Sequence, residues 1–192
     1  ALLQGIILVM IILFLFMGSF RPSIVVAASI PFSVLFAMIG MNLFGISANL
    51  MSFGGLAIAI GMIVDGSIVV IENIDRVIKD RTAGESKIRL ISKAFLEVIQ
   101  PVTFAIIIII IVFLPLFTLQ GVEGKTFRPL AYTIAIAMFG SLLYAMILSP
   151  VLSFFILKEP KGDGEKKEFW MLRLLNRLYE PVVTYFVQNR KM

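Results

Sequence analysis

The chain has 192 residues, of which 59% are apolar and only 15% are charged, and its mean hydropathy is +1.01. This balance excludes an ordinary soluble domain. Because the chain has neither cysteine nor histidine, disulfides, thiolate or imidazole metal sites and Ser/His or Cys/His catalysis are also excluded. Its net charge of +5 does not indicate a nucleic-acid partner, since the basic residues lie between apolar blocks.

Five stretches approach or exceed the ~20 apolar residues that a helix needs to cross a ~30 Å hydrocarbon core. They cover residues 2–18, 23–43, 50–71, 94–117 and 130–157. A run such as residues 106–112 lacks the polar–apolar alternation of barrel strands, which favours helices. The predicted fold is an all-α membrane protein, with a bundle of five transmembrane helices in the lipid bilayer over residues 1–157.

The distribution of lysine and arginine between these spans predicts the orientation of the chain. Fifteen of the 17 basic residues fall on one side, whereas Lys125 and Arg128 fall on the other. The richer side should be cytoplasmic, so the first helix enters from outside. We therefore expect the chain to be a fragment whose first residue, Ala1, is delivered there by an upstream segment.

Local residue types predict how consecutive spans are joined. The tight Arg21-Pro22 connection makes the first two helices antiparallel neighbours. A turn rich in Gly, Ser and Asn precedes the third span, which begins near Asn49. Three prolines lie inside the fourth and fifth spans and should bend them, namely Pro101, Pro115 and Pro150.

The end of the chain changes character after the fifth span. Residues 158–167 form a polar cytoplasmic linker, and residues 168–180 have the apolar and basic faces of an amphipathic helix at the membrane surface. The alternative for residues 168–180 is an ordinary approach to another spanning helix. Residues 181–192 are predicted to lead into a further membrane segment.

Asp65 is the only charged residue well inside any of the five spans. It lies ~7 Å from the centre of the third span, toward the cytoplasm. An ionised carboxylate at that depth is costly, so it should face protein or water, be neutralised by a proton, or pair with a cation. These properties predict a proton relay. The alternative is a structural carboxylate locked in an ion pair.

Other residues of the third span could support Asp65. Glu72 follows seven residues later on nearly the same face, where it either extends a polar path or ends the helix in water. Small residues make the helix slim and favour a buried, closely packed position. They are Gly54, Gly55, Ala57, Ala59, Gly61 and Gly66.

The segment 61–73, reading Gly-Met-Ile-Val-Asp-Gly-Ser-Ile-Val-Val-Ile-Glu-Asn, resembles the fourth transmembrane helix of resistance-nodulation-division efflux pumps. Residues 117–133 resemble the link between the fifth and sixth helices in the heavy-metal branch. The resemblance implies that the five spans are the second to sixth helices of a twelve-helix protomer. It also implies that the cytoplasmic surface helix precedes the seventh.

The resemblance implies that the chain belongs to a multi-pass proton antiporter of the bacterial inner membrane. Such a protein is a transporter and not an enzyme, and it needs no cofactor. The family works as a homotrimer with a periplasmic adaptor and an outer-membrane channel. Asp65 would be the proton relay, supported by Glu72, Asn73, Gly61 and Gly66. Its basic partner would come from helices outside this chain.

Two features of the motif bear on the substrate. Gly66 stands where multidrug members have a second aspartate, which favours export of a heavy-metal cation. Copper and silver exporters have methionines where this chain has Ile63 and Val70, so a divalent cation is favoured, although its ligands are unknown. The ten methionines are otherwise typical apolar filler. Alternatives are a multidrug or lipid exporter, a protein-export component, and a membrane scaffold fragment that transports nothing.

Overall fold

The computed structural model describes residues 2–80 and 85–157, together with Arg177 and Tyr179. All regular structure in these ranges is helical, which confirms the predicted all-α class. The elements are α1 (Leu2–Met17), α2 (Phe20–Ala27), α3 (Ser29–Leu43), α4 (Leu50–Lys79), α5 (Lys87–Phe113), α6 (Pro115–Thr118), α7 (Gly121–Leu143), a π-helical turn (Tyr144–Leu148) and α8 (Ser149–Ile156). The predicted linker over 158–167, and residues 168–192 apart from Arg177 and Tyr179, lie outside the described residues.

Four of the helical stretches are long and apolar enough to cross a membrane. They are Phe20–Leu43, Leu50–Lys79, Lys87–Thr118 and Gly121–Ile156, and they correspond to the second to fifth predicted spans. The first predicted span forms α1, whose 16 residues extend ~24 Å and fall short of a ~30 Å hydrocarbon core. A fifth crossing and a twelve-helix protomer therefore stay predictions.

The helices extend further into the polar regions than the predicted spans. Helix α4 begins at Leu50, as predicted, but continues to Lys79, and α7 begins at Gly121 instead of residue 130. Hydropathy identifies only the apolar part of a helix, whereas polar side chains can sustain the helix beyond it. In the last turns of α4, the Lys79 ammonium lies 2.5 Å from the Asp75 carboxylate.

Glycine and proline mark the points where the helices break. Gly18 separates α1 from α2 and has a φ of +58°, a left-handed conformation that favours glycine. Pro115 opens α6 after a break at Leu114, and Pro150 follows the π-helical turn. Pro101, in contrast, lies within the continuous helix α5. Proline lacks the N–H that a regular helix would use, so breaks and wider turns accommodate it.

Helix α4 lies at the centre of the bundle. It contacts α7 and α5 most extensively and also touches α1, α2, α3 and α8. Buried side chains of α4 contribute to two apolar clusters. One cluster joins α4 to α5 and α7 and includes Ile63, Val70, Ile74, Ile106, Ile134 and Met138. The other joins α4 to α1, α2 and α3 and includes Leu13, Val25, Val26, Ile30, Ile60 and Val64.

Candidate functional site

Helix α4 begins at a well-formed cap. The side-chain oxygen of Asn49 accepts hydrogen bonds from the backbone N–H groups of Met51 (2.9 Å) and Ser52 (3.0 Å). The backbone N–H of Asn49 in turn donates to the Ser52 hydroxyl at 3.3 Å. These bonds satisfy amides that a helix N-terminus otherwise leaves unpaired. The start of α4, and hence the register of its side chains, is fixed by this sequence.

One side of α4 packs tightly against α7 and α5. A Cβ atom added at Gly55 would lie 2.7 Å from the backbone oxygen of Leu130, so only glycine permits this approach to α7. A Cβ atom at Gly66 would lie 3.1 Å from the side chain of Ile106 in α5. The Ser141 hydroxyl donates to the Ile63 carbonyl at 2.9 Å and adds a polar contact to the α4–α7 interface.

The opposite side of α4 carries a stripe of residues that the described helices leave exposed. We call it the open stripe, and it consists of Ala57, Gly61, Asp65, Val69 and Glu72. Successive members are three or four residues apart and so share one face of the helix. A Cβ atom at Gly61 would meet nothing within 4 Å. The open stripe thus combines small side chains with two carboxylates.

Asp65 lies at the middle of the 30-residue α4 and is exposed on the open stripe. Within residues 2–80 and 85–157, no side chain forms a hydrogen bond or an ion pair with its carboxylate. The prediction that Asp65 faces protein or water is therefore still open, because no second layer of helices covers the stripe in the described part of the chain. An apolar lipid surface would be a poor environment for this group.

Glu72 shares the open stripe with Asp65, as the spacing of seven residues predicts. It does not end the helix, because α4 continues to Lys79. Glu72 therefore lies on a helical face that leads from the middle of α4 toward the end predicted to be cytoplasmic.

Asn73 points away from the open stripe and is buried. Its amide nitrogen donates to the Ala94 carbonyl at 2.7 Å and to the Glu97 carboxylate at 3.1 Å, both on α5. Its oxygen accepts a hydrogen bond from the Arg76 guanidinium at 2.6 Å. Asn73 thus fastens α4 to α5. The close approach at Gly66 joins the same two helices, and the role of both residues in supporting Asp65 stays a prediction.

The two positions that the resemblance compares with methionines, Ile63 and Val70, face the bundle interior. Ile63 and Val70 are both fully buried in the cluster shared by α4, α5 and α7. Among the described residues, no group of three or more acidic side chains could hold a metal ion.

Several polar contacts between helices are absent from the sequence predictions. The Tyr144 hydroxyl, in the π-helical turn, donates to the Val25 carbonyl of α2. The Lys87 ammonium donates to the carbonyls of Phe154 and Leu157 at the end of α8. These partners are far apart in sequence, so no local pattern indicates the contacts, although a tyrosine in an apolar span does signal a buried hydrogen bond.

Comparison with known proteins extends over the whole chain. Residues 1–192 match the profile of the AcrB/AcrD/AcrF family. Protein HelA of Legionella pneumophila is 39% identical over 100% of this chain. The cobalt-zinc-cadmium resistance protein CzcA of Cupriavidus metallidurans is 35% identical over 98% of it. The chain spans 18% of the length of each of these curated relatives.

A solved structure gives the same result for the fold. A crystal structure of a heavy metal efflux pump superposes on this chain with a TM-score of 0.68 and 42% sequence identity. The superposition covers 81% of this chain and 15% of that pump.

Proposed function

Because the chain belongs to the AcrB/AcrD/AcrF family of resistance-nodulation-division efflux transporters, we propose that it is part of the membrane domain of a proton-driven exporter of heavy-metal cations. Members of this family are multi-pass proteins of the bacterial inner membrane. Asp65 is the group that takes up and releases protons. The observation that carries this proposal is the unpaired carboxylate at the middle of α4, on a face that no other described helix covers.

The open stripe gives this carboxylate a physical means of coupling. An ionised Asp65 needs water or a cation beside it, whereas a protonated Asp65 can be packed against an apolar neighbour. The small side chains at Ala57 and Gly61 allow another helix to approach α4 closely. Protonation therefore changes which arrangement of α4 and that helix is more stable, and the shift drives conformational cycling.

The partner of the open stripe would come from the remainder of a twelve-helix protomer, in which the spans of this chain are the second to sixth helices. We propose that a lysine from the second half of that protomer faces Asp65, with Glu72 on the path toward the cytoplasm. The complete transporter would be a homotrimer that works with a periplasmic adaptor and an outer-membrane channel.

A heavy-metal cation is the substrate class that the motif favours. Gly66 follows Asp65 where multidrug members have a second aspartate, and the named relative CzcA is a cobalt-zinc-cadmium resistance protein. Ile63 and Val70 offer no thioether, so a divalent cation is preferred over copper(I) or silver(I). The resistance of cells carrying the intact gene to zinc, cobalt, cadmium, copper, silver and hydrophobic drugs tests this substrate class. Protection against drugs alone would favour the multidrug alternative.

Substitution of Asp65 by asparagine tests the proton relay. In the intact transporter, Asp65→Asn removes the titrating group with almost no change in size, and we expect metal resistance to fall to that of cells without the gene. Asp75→Asn is the matched control, because it makes the same chemical change on the same helix, where the carboxylate pairs with Lys79. That variant should keep its resistance.

Expression and assembly of both variants should be normal by membrane immunoblot and gel filtration. Proton flux in proteoliposomes should require the metal in the wild type and should be absent in Asp65→Asn. Metal resistance retained by a well-expressed Asp65→Asn variant would contradict the proposal. The same flux measurement tests the scaffold alternative. Metal-coupled proton flux by the intact wild-type protein would exclude that alternative, because a scaffold transports nothing.

A further inference from the structure

A pocket of about 530 Å³ lies at the end of the bundle that is predicted to face outward. Two segments distant in sequence form it, the turn after α3 and the region from α6 into the start of α7. Its walls include Phe44, Ser47, Gln120, Lys125, Arg128 and Tyr132. None of these elements belongs to the open stripe of α4, so the pocket is separate from the proposed proton site.

The pocket is positively charged. Lys125 and Arg128 both line it, and they are the two basic residues that the sequence places on this side of the membrane. No acidic residue is among the described residues of its lining. The Arg128 guanidinium donates to the Leu119 carbonyl at 2.8 Å, which holds it at the rim with further N–H groups available. The lining therefore suits an anionic group that accepts several hydrogen bonds.

An exposed apolar surface adjoins the pocket. Leu35, Ile39 and Leu43 follow one another at intervals of four residues on α3, and their side chains are 58%, 60% and 76% exposed. This row of apolar side chains on α3 leads directly to Phe44 in the pocket wall. On the other wall, Tyr132 packs against Phe117 with ring centroids 4.5 Å apart, and tyrosine is a residue type enriched at membrane interfaces. A ligand that fits both features has an anionic head and apolar chains.

We propose that this pocket binds the phosphate group of an anionic phospholipid, with the acyl chains lying along Leu35, Ile39 and Leu43. Lys125 and Arg128 contact the phosphate, and Tyr132 lies at the level of the headgroup. The two basic residues thus form a lipid site in addition to contributing to topology. Inorganic phosphate has the same anionic oxygens as the lipid headgroup, but it would make no contact with Leu35, Ile39 and Leu43.

Hydrogen–deuterium exchange on the full-length protein in a non-ionic detergent tests the proposal. The probes are dioleoylphosphatidylglycerol, dioleoylglycerol with the same chains but no phosphate, and inorganic phosphate. Of these three probes, we expect only phosphatidylglycerol to slow exchange in the peptides that cover residues 44–47 and 119–124. In Lys125→Gln/Arg128→Gln, the lipid concentration needed for this protection should rise about tenfold or more, which corresponds to loss of charge-assisted hydrogen bonds.

Arg89→Gln/Lys93→Gln is the matched control, because it removes two exposed basic residues from the opposite end of the bundle. In this control, phosphatidylglycerol should slow exchange in the peptides that cover residues 44–47 and 119–124 as it does in the wild type. Exchange in α4 should be the same in all variants, which shows that the bundle is intact. Protection by dioleoylglycerol or by inorganic phosphate alone would overturn the proposal. Protection by phosphatidylglycerol that is as strong in Lys125→Gln/Arg128→Gln as in the wild type would also overturn it. Slow exchange in every condition would also overturn it, since the pocket would then be covered by protein.

Discussion

Helices α4 and α5 are both long and apolar enough to span a membrane, yet they are built for different surroundings. Half of the most apolar stretch of α4 is buried against other described helices, compared with 11% for the stretch that begins with α5. The exposed part of the apolar stretch of α5 consists mainly of large apolar side chains, including Phe104, Ile108 and Val112, which suit lipid. The exposed residues of α4 include Phe53 and Ile58 as well as the open stripe, and the small and acidic residues of that stripe distinguish α4 from α5. The exposed apolar face of α5 therefore suits lipid, whereas the carboxylates of the open stripe favour protein or water beside α4.

The largest expected effect comes from adding volume to the open stripe. In the intact transporter, Gly61→Leu should abolish metal resistance, because a large side chain would prevent close approach of the helix that covers α4. Val112→Leu on α5 is the control, and it should leave resistance unchanged because its side chain lies on the exposed apolar face of α5. Resistance can be measured as the metal concentration that halves growth. Full resistance in Gly61→Leu would show that the stripe faces lipid and would remove the contrast between the two helices.

A smaller effect is expected on the packed side of α4. Gly55→Ala places a Cβ 2.7 Å from the Leu130 oxygen, so we expect a loss of ~1–3 kcal/mol in the free energy of unfolding. Gly54→Ala is an ideal control, because a Cβ there meets nothing within 4 Å and alanine favours helix by up to ~1 kcal/mol. Denaturant unfolding in detergent measures both. Equal stability of the two variants would mean that α7 is not tightly packed at Gly55.

The smallest effect concerns the polar contact between α4 and α7. Ser141→Ala removes the hydrogen bond to the Ile63 carbonyl and should cost ~0.6 kcal/mol, a typical value for such bonds within membranes. Ser153→Ala is the control, because that buried hydroxyl bonds the Ser149 carbonyl in its own helix. The control should therefore change the unfolding free energy less. A larger loss in Ser153→Ala would indicate that helix–helix hydrogen bonding is not what distinguishes the two serines.

The fold could be predicted from the sequence where composition alone decides it. Runs of apolar residues identify four of the helices, because their lengths are set by the thickness of the bilayer. The polar extensions could not be predicted in this way. Helix α4 continues to Lys79 and α7 begins at Gly121 through side-chain pairs and packing that hydropathy does not register.

The candidate site was predictable in part for the same reason. A lone charge within an apolar span identifies Asp65, and helical periodicity places Glu72 on the same face. Periodicity cannot distinguish Gly55, where an added Cβ would meet the α7 backbone, from Gly54, where an added Cβ would meet nothing within 4 Å. It also cannot show that Asn73 bonds across to α5, since that depends on residues more than twenty positions away. The basic partner of Asp65 stays a prediction.

The bond between Lys87 and the end of α8 has a consequence for how the protein is assembled in the membrane. The lysine at the start of α5 can reach the carbonyls of Phe154 and Leu157 only when both lie on the same membrane face. This requires that the chain crosses the membrane through α5 and returns through α7 and α8. Without that return, the carbonyls of Phe154 and Leu157 would not lie beside Lys87. Lys87 therefore ties the start of α5 to the end of α8, so that the two ends of this hairpin lie together at one end of the bundle.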